Sequence, residues 1–162
     1  MIHSIAQWLQ ATPLALWIAQ SAMAFPWIET IHVICMATVV GTIAILDLRL
    51  LGLTSGQRSV SQVSADVLPF TWTAFLLAAT TGAMLFISKA TEYVADFPFQ
   101  MKMLLMALAG VNMVIFHFTA YRGVGAWEVG RTPARAKFAA GLSLAFWCLI
   151  IVFGRWIGFT IR

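Results

Sequence analysis

His32, Cys35 and Met36 lie within an otherwise apolar stretch, Phe25 to Gly52, that also carries Glu29 and Asp47. Their spacing is i, i+3, i+4, so on a helix an imidazole, a thiol and a thioether converge on one point. Soft thiolate and thioether ligands combined with an imidazole are the set Cu(I) prefers. Ionisable side chains in hydrocarbon cost on the order of 2.5–3.5 kcal/mol each on insertion scales, so they face protein or water rather than lipid. This stretch is the place to look for chemistry.

Other residues extend the set. Met84, Lys89, Met101, Lys102, Met103, Met106 and Arg155 fall toward the same end of the chain's long apolar runs as His32. Met103 or Met106 would complete a copper shell begun by His32, Cys35 and Met36. Lys102 and Arg155 suit either a counter-ion role toward Glu29 or the propionates of a b-type haem, for which His32 is the axial ligand. His117 is the other spanning imidazole and a further candidate cofactor ligand. It lies late in its apolar run whereas His32 lies early, and at ~1.5 Å rise per residue the two sit roughly 15–20 Å apart in depth. One haem cannot take both. Glu29, Asp47 and Asn112 form a candidate polar network.

Each signal also has a purely structural account. Methionine fills irregular cores, a histidine near a helix end reaches the interface, and a buried charge needs a partner whether or not it has a task. Asp47, Arg49, Arg122 and Lys137 read as anchors and topology determinants. A structural or assembly subunit without a cofactor is therefore a third reading beside copper and haem. No nucleophile–base triad, phosphate loop, dinucleotide fingerprint or zinc-protease motif is present, so nothing supports hydrolytic chemistry.

These residues must be positioned by membrane helices. The chain has 162 residues, 61% hydrophobic and 10% charged, with a mean hydropathy of +0.89, which is outside soluble composition and inside the polytopic membrane class. The net charge of +4 and pI near 9.6 do not indicate nucleic acid, because the basic residues are scattered at the ends of apolar runs. Cys35 and Cys148 lie in apolar helices and imply no disulfide framework. The N-terminus has no basic flank for a cleaved leader. Residues 1–22 read as a broken amphipathic helix in the membrane interface: Ile2, Ile5, Trp8 and Leu9 recur at helical spacing, and Thr12-Pro13 is a cap followed by a first-turn proline.

Residues 23–162 then form an all-α, polytopic four-helix membrane bundle, with spans expected at about Pro26–Leu51, Val67–Ser88, Pro98–Tyr121 and Ala136–Phe159. Each approaches or exceeds the roughly 20 residues needed to cross the hydrocarbon core. An even number of spans puts both termini on one side. Arg49, Arg58, Arg122, Arg131, Arg135 and Lys137 lie opposite, against Lys89, Lys102, Arg155 and Arg162 on the terminal side, so the positive-inside rule places the termini outside, in a bacterium the periplasm. At 100° per residue each span carries a polar or small-residue stripe expected to face inward: Glu29, His32, Met36, Ile43 and Asp47 with Cys35 at the edge; Thr73, Leu77, Thr80, Thr81, Met84 and Ser88; Lys102, Met106, Ala109, Met113 and His117; and Lys137, Gly141, Leu144, Cys148, Val152 and Arg155.

The segments ETIHVICMATVVGTIAILDLRLLG, PFTWTAF, FQMKMLLMALAGVNMVIFH and SLAFWCLIIVFGRWIGF resemble an uncharacterised family of bacterial four-helix inner-membrane proteins over nearly the whole chain. More distantly, His32 with Gly41 and Lys102 with Asn112 are similar to the histidine-glycine and lysine-asparagine signatures of the CopD-like copper-resistance membrane domain. The resemblance implies a bacterial inner-membrane location and a bound metal or haem. Partners expected on these readings are the lipid bilayer and a periplasmic or membrane redox or metal partner, with oligomerisation left open.

Overall fold

Length and capping define the elements. The computed structural model describes residues 2–54, 58–127 and 132–161; Arg131 and Arg162 of the charge count fall outside them. Among the described residues the regular structure is helical: α1 (Ile2–Gln10), α2 (Pro13–Gln20), α3 (Ala24–Leu51), α4 (Val60–Ser88), α5 (Ala90–Ala95), α6 (Phe97–Thr119) and α7 (Ala134–Thr160), with a 3-10 turn over Tyr121–Ala126. The four long helices have 28, 29, 23 and 27 residues. Even the shortest is about 35 Å long, which exceeds a hydrocarbon core of about 30 Å.

Caps explain the boundaries. Thr12 receives the Ala15 amide at 3.4 Å ahead of Pro13, and Asp96 receives the Phe99 amide at 3.0 Å ahead of Pro98. The second span begins at Val60 rather than Val67, because Ser59 and Gln62 form a capping box: the Ser59 hydroxyl accepts from the Gln62 amide at 3.1 Å and the Gln62 side chain from the Ser59 amide at 3.2 Å. The connection between the first two spans is correspondingly shorter than the expected bounds imply. α6 stops at Thr119, and the connection before it contains the short α5. α3 ends where Gly52 turns left-handed, φ 80°, and the Leu53 amide reaches back to Leu48 at 3.1 Å.

α3 packs along α4, α6 along α7, and α3 against α7, which joins the two pairs. Val39, Ala74, Leu105, Trp147 and Ile150 meet in the middle, at least one from each span. A second cluster, Leu50, Val60, Ala120, Ala136 and Ala140, closes the end where α3 finishes. Ile31, Ile34, Leu76, Val114, Ile115 and Ile151 remain exposed around the bundle, an apolar girdle suited to lipid.

The inward faces of α4 and α7 differ from the expected stripes. On α7, Lys137, Gly141, Cys148, Val152 and Arg155 are exposed, and Ala136, Ala140, Trp147, Ile150 and Ile157 are buried instead. On α4, Thr73, Leu77 and Thr80 are exposed while Thr71, Ala74, Ala78 and Leu85 are buried. The threonines explain the second case: Thr73 donates to the Pro69 carbonyl at 2.8 Å and Thr80 to Leu76 at 2.5 Å, so neither needs a partner from another helix. Small alanines, which let backbones approach, take the interior positions.

α1 rests on α5, and α2 on α4 and α3. Ala6, Ala15 and Ile18 are buried in this seam, whereas Ile5, Trp8 and Trp17 point away from it. The large side chains Ile5 and Trp8 of α1 and Trp17 of α2 are thus turned outward. Gln10 ties this layer down by accepting from the Thr91 amide at 3.2 Å and the Thr91 hydroxyl at 2.7 Å.

Gly52→Ala is expected to destabilise the fold by about 1 kcal/mol, the cost of a Cβ in the left-handed conformation. Gly41→Ala, at a helical position with open space around it, should not. Reversible unfolding in mixed detergent compares the two.

Candidate functional site

His32 is organised by α4. The antiparallel pairing of α3 and α4 brings it level with Ala78, Thr81 and Gly82, and its Nδ1 lies 2.9 Å from the Ala78 carbonyl oxygen and 3.1 Å from the Thr81 hydroxyl. A carbonyl only accepts, so Nδ1 carries the ring hydrogen. Thr81 directs its own hydrogen to the Leu77 carbonyl at 2.7 Å, which leaves its oxygen free to accept from the same ring N–H. The lone pair of Nε2 is then unused by any neighbour among the described residues. Gly82 makes this possible: a methyl group there would stand 2.9 Å from Cε1 of the ring, closer than carbon atoms approach.

Lys102 enters from α6. It lies near enough for its charge to act on the His32 ring. It runs past Gly154 of α7, where an added methyl would stand 3.8 Å from Nζ. Among the described residues the ion pair within 4.0 Å is Arg58 with Asp66, at 2.6 Å, so the expected pairing of Glu29 with Lys102 or Arg155 is not formed. Glu29 is exposed, and Arg155 is exposed with its guanidinium 4.9 Å from the Phe159 ring centre.

Of the soft ligands, Cys35 is a buried free thiol, and Met36 and Met106 pack on the Val39–Leu105 cluster. Met103 does not join them: it is 47% exposed, because a step of one residue from Lys102 turns it about 100° toward the lipid. Among the described residues no three His, Cys, Asp or Glu side chains gather as a metal site, so any soft-metal shell must draw on methionine.

The other end of the bundle is a separate place. From Lys102 to His117 α6 climbs about 22 Å, and the exposed His117 ring stacks on Tyr121 at 5.3 Å. His32 and His117 are therefore apart, as their depths in sequence require. Asn112 donates to the Ala139 carbonyl at 2.9 Å and joins α6 to α7. Asp47 is 6% exposed rather than at the boundary, with Ser143 of α7 near enough to act on its carboxyl. It does not touch Glu29 or Asn112 through any hydrogen bond among the described residues, so the three do not form one network.

Above His32, outside the spans, Tyr93 of α5 stands in an aromatic group with Phe99 at 5.2 Å and Phe86 at 6.1 Å. Burial, and then the carboxylates of Glu29, Glu92 and Asp96, push its phenol above the usual tyrosine value.

Ala78, Gly82 and Ser143 are site residues that no motif announces. Gly82 had one signal, a lone glycine in an apolar span at the depth of His32. The Ala78 carbonyl had none, since backbone acceptors carry no residue code.

The fold is that of a multi-pass integral membrane protein, with four helices long and apolar enough to span a bilayer. Comparison with known protein families, with curated proteins and with solved structures finds no match.

Gly82→Ala should displace the His32 ring and weaken its bond to Ala78, seen as a shift of the Nδ1 resonance in histidine-labelled protein. For Tyr93, ultraviolet titration should show ionisation above the ordinary tyrosine range, and Glu29→Gln should bring it down, because removing a negative neighbour favours the phenolate.

Proposed function

We propose that this protein binds copper, as Cu(I), at His32, and either stores it or passes it across the membrane. The observation that carries the reading is the His32 hydrogen bond to Ala78: a ligating histidine characteristically donates its second nitrogen to a backbone carbonyl or carboxylate, which fixes the tautomer and aims the other nitrogen at the metal. Cys35 and Met36 supply the soft donors on the same helix, and Met106 is the methionine placed inward to complete the set. Charge supports a monovalent ion. Cu(I) with one thiolate and neutral His and Met ligands is neutral overall, so it is tolerated in an apolar bundle and beside the Lys102 ammonium. The likeness of His32–Gly41 and Lys102–Asn112 to the CopD-like signatures points the same way. On this reading the chain sits in a bacterial inner membrane with periplasmic termini, and exchanges metal with a periplasmic or membrane partner.

Lys102 favours one rival. A positive charge that acts on the His32 ring also suits a b-type haem, with His32 as axial ligand, Lys102 on a propionate, and the second axial ligand supplied by methionine or by a partner chain.

Detergent-purified protein, reconstituted with Cu(I) against a competing chelator, should retain about one copper per chain. His32→Ala should abolish retention, and Gly82→Ala should weaken affinity roughly 10–100-fold, the usual effect of disturbing a ligand's outer partner. Copper left wholly with the chelator, equally for wild type and His32→Ala, rejects the proposal. A Soret band that shifts on dithionite reduction establishes the haem reading instead.

A further inference from the structure

In the half away from His32 the bundle buries an acidic group that the copper site does not use. Asp47 lies within α3 about 6 Å from its Leu51 end at ~1.5 Å per residue, and it is 6% exposed. Ser143 of α7 is near enough to act on the carboxyl, while Oδ2 is buried with no hydrogen-bond partner.

The nearby charges are committed elsewhere. On α3 itself, Arg49 donates through Nε to the Arg58 carbonyl at 2.9 Å. On α4, Asp66 is held by Arg58 at 2.6 Å. Lys137 of α7 is exposed. On and beyond α6, the His117 ring stacks on Tyr121, and Arg122 lies over Phe118 at 5.0 Å. No basic group among the described residues comes within ion-pair distance of Asp47.

An unpaired carboxylate in such a place is far costlier than a neutral acid with one unmade hydrogen bond. A lone orphan oxygen on an otherwise enclosed carboxyl is also where a single small ligand belongs. We propose that Asp47 is an intramembrane proton-binding site: its carboxyl holds a proton on Oδ2 in the folded bundle, with Ser143 of α7 near the same group. The site is independent of copper or haem at His32. It gives the protein a group that can take up or release one proton when the Leu50–Ala140 end of the bundle loosens.

The test is the infrared spectrum of the full chain in lipid bilayers at neutral pH, as the difference between wild type and Asp47→Asn. Wild type should show a carboxylic-acid C=O band above amide I that is missing from the variant and moves down in D2O. Asparagine closely matches a neutral acid in shape and polarity, so the variant should accumulate and unfold like wild type. Should it fail to accumulate, wild type with isotope-labelled aspartate carboxyls gives the same reading, since Asp66 is exposed in an ion pair and Asp96 caps α6. Finding only carboxylate stretches from Asp47 overturns the proposal. So does an acid band that sodium ions remove at constant pH, which would make the site a metal-cation site.

Discussion

Hydrocarbon supplies neither donors nor acceptors, and the spans of this protein are arranged by that shortage. A histidine ring placed in a bilayer-spanning helix must find its partners on a neighbour. Here α4 provides them through a backbone carbonyl, a hydroxyl and a glycine small enough to let the ring lie against the helix. That contact sets the register of α3 on α4. The same register brings Thr71 to Thr42, whose hydroxyls meet at 2.8 Å further down the pair. Two polar contacts at different depths allow one alignment of the helices where apolar packing alone would tolerate several.

The central cluster around Val39, Leu105 and Trp147 divides the bundle into two chemically different halves. On one side lie His32, Lys102, Cys35 and two inward methionines, a combination of soft donors and a single positive charge. On the other lie Asp47 with Ser143 and Asn112 with Ala139, a set of oxygen and amide groups. On the readings proposed above, the first set would respond to a metal or its complex and the second to a proton. Their separation by a packed apolar layer means that each can be perturbed without directly touching the other.

Much of the outline was legible in the residues themselves. The four spans follow from apolar length. Thr12-Pro13 and Gly52 mark real ends because capping is a local matter of a few backbone groups. That His32 and His117 lie at different depths follows from the fixed rise of a helix. That His32 needs partners from a neighbouring helix was likewise readable from the exceptional placement of an ionisable group in an apolar run.

What faces what was decided by packing. In water an apolar stripe identifies a helix's buried side, but lipid is as apolar as a protein core, and that contrast is lost in a membrane span. Threonines obscure it further by satisfying themselves against their own helix, as Thr73 and Thr80 do. Hence the inward face of α7 is built on Ala136, Ala140, Trp147 and Ile150 rather than on Cys148 and Arg155, and Met103 turns to lipid while Met106 turns in. Asp47 is buried rather than an interface anchor. The sequence by itself determined the number, length and depth of the helices, because these depend on composition and local geometry. Only the tertiary structure decided their rotations and the tautomer of His32, because these depend on which neighbour comes close enough to hydrogen-bond.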